Sequence, residues 1–237
     1  MTYSIIGQGY ISKKHEQAIE TSSSVFRKIV ARCDPCIEAE GLVTFEKAVE
    51  LGDTIVICSP PEFHREQSLY ALDKGKRVLC EKPAWLPWEP PIEHDNFFVS
   101  MPLRFDHFGI HGKEPNLDKV AVRMVRDEKY MNSWKGNGKK TGGPIHHLFI
   151  HYIDLAILNN IPFEGIVSME GDPYRRMGDC QLPQINIERI FLQMYYEMDL
   201  GNGVRGKDLL YLHWVMGKAA DEYGYEMKEM LDQVIII

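Results

Sequence analysis

The short apolar run Ser4-Ile5-Ile6 gives way to Gly7-Gln8-Gly9-Tyr10-Ile11-Ser12 and then to a polar stretch of helical character. No other feature constrains the fold as strongly. Gly7 permits a tight turn, and Gly9 lets the backbone approach a bulky anion. The helix that follows presents free N–H groups and the positive end of its dipole. Ser12 stands where a third glycine would, and is small enough for close helix–strand packing. The pattern predicts a dinucleotide pyrophosphate site on the first strand of a βαβ unit, with Gly7, Gly9, Tyr10 and Ile11 around the phosphates.

The first hundred residues alternate strand-like and helix-like segments, which predicts a parallel sheet with crossover helices. Strands are expected at residues 2–6, 25–31, 54–59, 77–80 and 97–101. Helices are expected at 12–21 with Ser12 as cap, at 45–51 with Thr44 as cap, and at 61–74 with Gly75 as the stop. Asp34 follows the second strand, where a carboxylate would bond the ribose hydroxyls of NAD and repel the additional phosphate of NADP. It can also be read as an ordinary turn aspartate before Pro35, and Arg32 could soften a preference for NAD.

The rhythm breaks at residues 83–91, which hold Pro83, Pro87, Pro90 and Pro91 together with Trp85 and Trp88. Proline blocks helix interiors, so no long helix fits there. A boundary is expected near residues 102–106, dividing the chain into domains 1–103 and 104–237. In the second part, residues 119–126 alternate like a strand and 135–143 form a Gly/Lys-rich loop. Residues 145–159 are strongly helical in pattern. Strands are expected at 164–169 and 188–198, and helices at 209–217 and 226–234; the apolar end Val234-Ile235-Ile236-Ile237 reads either as a buried strand or as a helix tail.

The chain of 237 residues carries a formal charge of −7, with 44% hydrophobic and 26% charged residues. Such an acidic balance argues against coating nucleic acid, which needs a basic surface. A phosphorylated small molecule remains compatible. The N-terminus lacks the basic and apolar regions of a signal peptide. No apolar run approaches the roughly 18–20 residues that span a bilayer. Five cysteines without framework spacing suit a reducing compartment, so the expectation is a cytoplasmic protein with no membrane partner. Cys33-Asp34-Pro35-Cys36 has redox-pair spacing but reads better as two loop thiols, because Pro35 sits awkwardly for a helix N-terminus. Zinc would need two further ligands, and none stands at sensible spacing.

Ile57-Cys58-Ser59-Pro60-Pro61-Glu62-Phe63-His64 and Cys80-Glu81-Lys82-Pro83 make residues 3–84 resemble the Gfo/Idh/MocA oxidoreductases. The resemblance implies an α/β fold: an N-terminal doubly wound Rossmann domain and a smaller α+β domain with a mostly antiparallel open sheet. It implies that Ser59, Pro60, His64, Glu81 and Lys82 meet the cofactor, and that Lys82 points at the reacting carbinol. An ammonium there would stabilise a developing alkoxide. Pro83 is expected to follow a cis bond. Gly142-Gly143-Pro144-Ile145-His146-His147-Leu148-Phe149-Ile150-His151 resembles the family's glycine-rich helix start, which implies His151 as general base or proton relay and His147 as a substrate contact. The four-residue spacing places both imidazoles on one helix face. A two-histidine metal site and a pair of merely packed polar side chains are the alternatives, and no metal is expected.

Tyr130-Met131-Asn132-Ser133-Trp134-Lys135-Gly136 is similar to a stretch of the UDP-N-acetylglucosaminuronate 3-dehydrogenase branch, as is Pro102-Leu103-Arg104-Phe105. This implies Arg104, Trp134 and Lys135 as substrate contacts, NAD rather than NADP as cofactor, a sugar nucleotide as substrate and a homodimer or homotetramer. The expected chemistry is oxidation of a ring hydroxyl, at C3, of a UDP-linked amino sugar or uronate. The broken stretch 84–96 and the short region 160–207 depart from the pattern and put substrate choice in doubt. A free sugar or polyol dehydrogenase, and a dinucleotide-binding sensor that lost its chemistry, are the rivals.

Overall fold

A computed structural model of the chain describes residues 1–21, 27–105, 121–125, 128–143, 145–158, 187–223 and 232–236. Five strands, β1 (Thr2–Ile6), β2 (Lys28–Cys33), β3 (Thr54–Ile57), β4 (Arg77–Cys80) and β5 (Phe97–Val99), form one parallel sheet in the order β2-β1-β3-β4-β5. Helices α1 (Tyr10–Thr21), α2 (Phe45–Leu51) and α3 (Pro61–Asp73) make the crossovers. The order reverses between β1 and β3, so a crevice opens at their carboxyl ends.

The strands are short, and covered on both faces. Tyr3, Ile5, Val56, Cys58, Leu79 and Phe98 pack in one apolar layer; Ile6, Ile55, Ile57, Val78, Cys80, Phe97 and Val99 pack in the other. No helix links β4 to β5. The proline-rich segment takes its place, and Trp85, Leu86 and Ile92 are buried there.

Several boundaries differ from those predicted. β2 begins at Lys28 and ends at Cys33, because its end must reach the glycine turn, where the Cys33 carbonyl accepts from Gly7 N at 2.7 Å. β3 stops at Ile57, since Pro60 lacks an N–H and caps α3. β5 stops at Val99, shortly before the Pro102–Phe105 helical turn. α1 starts at Tyr10, so Ser12 is not its cap. It is a buried residue of the first turn whose hydroxyl donates to Gly9 O at 2.7 Å. Thr44 does cap α2, its Oγ1 accepting from Lys47 N.

Beyond residue 120, β6 (Ala121–Val125) pairs antiparallel with β7 (Asp232–Ile236). Between them come the one-turn helices α4 (Glu128–Met131) and α5 (Gly138–Thr141), then α6 (Ile150–Leu158), α7 (Ile187–Asp199) and α8 (Leu210–Tyr223). A π-helical turn, Ile145–Phe149, leads into α6. Residues 135–143, expected as loop, thus contain α5. Residues 164–169 and 226–231, expected as strand and helix, lie outside the described residues. At 232–234 the expected helix is instead part of β7, where the branched side chains of Val234, Ile235 and Ile236 favour extended backbone. No described helix is long and apolar enough to cross a membrane.

The largest correction concerns residues 188–198, expected as a strand and found as α7. Ile190, Phe191, Met194, Tyr195 and Met198 are buried while Tyr196 is exposed. Those intervals follow a 3.6-residue period, and strand alternation would have put Met194 and Tyr196 on one face. α7 packs on α1 and covers the Tyr3–Phe98 layer, while α6 and α8 cover the opposite one. Met194→Ala is accordingly expected to cost about 2–5 kcal/mol of unfolding free energy, and Tyr196→Ala under about 0.5 kcal/mol, by urea denaturation.

Candidate functional site

A cleft of about 540 Å³ lies at the carboxyl ends of β1, β3 and β4. Its walls include Gly7, Gly9, Tyr10, Ile11, Asp34, Ser59, Pro60, His64, Glu81 and Lys82 from the sheet domain, and Trp134, Lys135 and His147 from beyond it. The two glycines do different work. Gly7 has φ +92°, and a Cβ there would lie 2.7 Å from the Cys58 carbonyl group and from Ser59 N. A Cβ on Gly9 meets nothing within 4 Å. Gly9 therefore leaves open a cradle beside the first turn of α1, where the orphan N–H groups of a helix start can receive a pyrophosphate.

Asp34 closes one end. Its carboxylate accepts from Gln8 N at 2.8 Å and from Cys36 N at 2.9 Å, and so ties the end of β2 to the glycine turn. Arg32 does not share this wall. Its guanidinium is taken by Glu16 at 2.9 Å and Glu20 at 3.5 Å on α1. Cys36 and Ile37 line the cleft next to Asp34, and they belong to the same turn. No motif in the sequence marks either residue as a cleft contact; the Cys33–Cys36 spacing points to two loop thiols. Burial pushes the Cys33 thiol up to about 11, which keeps it inert at neutral pH.

At the other end, His64 is buried with Nδ1 2.7 Å from Pro83 O and Nε2 2.6 Å from Ser59 O. It joins the turns that follow β3 and β4. The Lys82–Pro83 bond is cis. Lys82 Nζ donates to His147 O at 2.7 Å, fixing the ammonium against the π-helical turn. Burial raises the neighbouring Glu81 carboxyl, but the His15 hydrogen bond and charge, then the Ser100 hydroxyl and the Lys82 charge, outweigh it and hold it down at about 2. Lys135 Nζ lies 5.4 Å from the Tyr130 ring centroid and 5.8 Å from that of Trp134. His147 completes this aromatic wall, edge-on to Trp134 at 5.8 Å.

Two expected site residues are not on the cleft. Arg104 forms a two-pronged ion pair with buried Asp154, at 2.7 and 2.5 Å, and so anchors α6. His151 is not among the lining residues, but it is close enough to Lys82 and Glu81 to feel both charges. Burial first, then the Lys82 charge, pushes its imidazole down to about 3, and its Nδ1 has no hydrogen-bond partner. Gly142, with φ +78°, packs against the proline-rich segment; a Cβ there would lie 2.7 Å from Pro87 Cδ. Among the described residues, no group of three or more His, Cys, Asp and Glu side chains could hold a metal ion.

Residues 1–96 match the model of an oxidoreductase family, NAD-binding Rossmann fold. The match is to the Gfo/Idh/MocA NAD-binding domain and covers less than half of the chain. The chain is 27% identical over 180 residues to glucose-6-phosphate 3-dehydrogenase of Bacillus subtilis (strain 168), a match spanning 64% of this chain and 51% of that protein. It is 27% identical over 143 residues to D-glucoside 3-dehydrogenase of Escherichia coli (strain K12), spanning 53% and 40%. The chain thus spans about half the length, or less, of these curated relatives. The WlbA (WbpB) dehydrogenase of Thermus thermophilus, solved with NAD and UDP-GlcNAcA, superposes with a TM-score of 0.69 at 20% identity, covering 92% of this chain and 94% of that one. At that identity it shows a shared fold.

The two glycines separate folding from binding. Gly9→Ala is expected to leave the thermal midpoint unchanged while weakening NADH binding at least about tenfold, measured by fluorescence titration. Gly7→Ala should lower the midpoint of the cofactor-free protein. Acid stability follows from the buried imidazoles. His146, with neither ring nitrogen hydrogen-bonded, is also pushed by burial to about 3. Both His146 and His151 fall from an ordinary 6.5, so the unfolded chain binds more protons below that value. Stability is full above about pH 6.5 and falls towards pH 3, by up to about 1.4 kcal/mol per pH unit for each histidine. Urea midpoints measured across that range check the slope.

Proposed function

We propose that the chain is an NAD-dependent dehydrogenase that oxidises a ring hydroxyl, at C3, of a sugar bearing an anionic group, with a UDP-linked amino sugar or its uronate as the leading substrate. The observation that carries this reading is the Lys82 ammonium, which stands in the same cleft as the glycine turn and is fixed there by the His147 carbonyl. Bound NAD would supply the hydride acceptor. The carbon loses hydride while its hydroxyl loses a proton, and Lys82 would stabilise the oxygen as negative charge develops. His151, neutral at working pH and with no hydrogen-bond partner at Nδ1, would relay the proton rather than retain it.

The substrate wall supports an anionic sugar. Among the described residues, Lys135 is the cleft-lining lysine other than Lys82, and the rings of Tyr130 and Trp134 beside it offer flat faces to a pyranose or a base. Arg104 enters as an anchor of α6 and not as a contact. Commitment of Arg32 to Glu16 and Glu20, with Asp34 on the cleft wall, supports NAD over NADP, since among the described residues a further phosphate would meet a carboxylate and no arginine on that wall. The relatives named above carry 3-dehydrogenase names, which supports the position of attack.

The test follows reduced-cofactor absorbance with NAD and, in turn, UDP-GlcNAcA, glucose 6-phosphate and a neutral glucoside. Lys82→Ala is expected to lower turnover about 10²- to 10⁴-fold with NAD affinity held. Lys135→Ala should raise KM for the charged sugars and leave the neutral one alone. Tight NAD binding without turnover of any of the three sugars would overturn the reading.

A further inference from the structure

The hydride chemistry leaves His15 without a task, although its environment is among the most specific in the molecule. Three residues after Ser12, it shares the buried face of α1 with Ser12 and Ile19, and is wholly shielded from solvent. Both ring nitrogens are engaged. Nε2 lies 2.9 Å from Glu81 Oε1, and Nδ1 lies 2.8 Å from the hydroxyl of Tyr195. Tyr195 is itself fully buried, on α7, and its phenol is pushed well up by burial, so it keeps its proton. The Tyr195 hydroxyl, the His15 ring and the Glu81 carboxylate thus form one buried chain of hydrogen bonds. Glu81 Oε2 then accepts from Lys82 N at 3.3 Å, so the carboxylate is gripped at both oxygens.

Packing fixes the same geometry. The His15 ring stands edge-on to Phe191 at 4.9 Å and to Tyr195 at 5.8 Å, both from α7. A helix about 180 residues further along the chain therefore ends its polar contacts at a residue lining the cofactor cleft. A core that wanted only stability would be served as well by apolar side chains, since a buried ionic contact seldom gains on its hydrophobic replacement.

We propose that His15 and Tyr195 are positioning residues: through them α7 holds the Glu81 carboxylate, charged and in one orientation, beside Lys82 in the cofactor cleft. This rests on the cleft being the NAD site, and not on the identity of the sugar. The titratable groups around Glu81 are His15 from α1, Cys58 beyond β3, His64 from α3, His151 from α6 and Tyr195 from α7, with Cys80 and Lys82 beside it in the chain. Of these, His15 makes the side-chain hydrogen bond that opposes the burial of the carboxyl. Without it, burial is opposed by the Ser100 hydroxyl and the Lys82 charge and backbone N–H, and the carboxyl rises.

The test compares His15→Phe, Glu81→Gln and the double variant in the full chain. NADH affinity is measured by fluorescence from about pH 5 to 8, with thermal midpoints taken alongside. His15→Phe is expected to lower the midpoint and to move the acid limb of NADH binding up by at least about one pH unit. Adding Glu81→Gln should restore most of the midpoint, because the amide needs no charge partner, and should abolish the acid limb without restoring native affinity. Recovery of both midpoint and affinity in the double variant would reduce His15 to a structural role and overturn the proposal. So would an unmoved acid limb in His15→Phe. If His15→Phe does not fold, Tyr195→Phe and His15→Gln take its place. The first should give a smaller shift of the limb in the same direction, and the second, which can donate to Glu81 and accept from Tyr195, a near-native profile. Failure of either expectation counts against the proposal. All these readouts use NADH alone, so absence of sugar turnover would sink the substrate reading and leave this one standing on its own result.

Discussion

Gly7 presses its Cα against the peptide that joins Cys58 to Ser59, at a distance no side chain would tolerate. The missing side chain lets β1 and β3 approach closely at their carboxyl ends, where the strand order reverses. The rest of the cleft is referenced to it. Gly7 N takes the carbonyl of Cys33, which brings Asp34 to the rim, and Cys58 N takes the carbonyl of Ile6. Ser59 in turn holds His64 through its carbonyl, and His64 reaches the carbonyl of Pro83. A series of backbone contacts thus runs across the strand ends from Asp34 to the segment bearing Lys82, with little freedom at any step.

The later part of the chain completes the sheet. α7 covers one face, and α6 and α8 cover the other, while Val99 N bonds to Val204 O beyond the sheet edge. A five-stranded sheet with only three crossover helices would leave apolar surface in water. Burying a large side chain such as Tyr195 or Met194 is worth a few kcal/mol relative to leaving it exposed. The cofactor domain and the segments after it are therefore one packing problem, and the cleft walls from both inherit their positions from it.

The features legible in the sequence were those carried by neighbours in the chain. The glycine turn, the proline at the end of β3 and the Glu81-Lys82-Pro83 tripeptide each state their geometry within a few residues, and the structure places them around one cleft. What escaped depended on distant partners. Arg104 looks like a substrate cation until Asp154, 50 residues on, takes its guanidinium. His15 looks like a surface histidine of a polar helix until Tyr195 and Glu81 close on it. The stripe from Ile190 to Met198 was readable as helical, but Leu192 and Tyr196 fall between its members and imitate an alternating strand.

The contact between Gly142 and Pro87 bears on how this compact architecture could be altered. The Gly142-Gly143 step sets the start of the helical segment that presents His147, and it does so by lying directly on the proline-rich connection between β4 and β5. Brevity in that connection and close approach of the second wall are two halves of one fit. A helix grafted between β4 and β5 would occupy the volume now filled by the Gly142 backbone and would lift His147 with its neighbours away from Lys82. Lengthening either segment is thus a question of replacing both together, as a lock and its key are recut as a set.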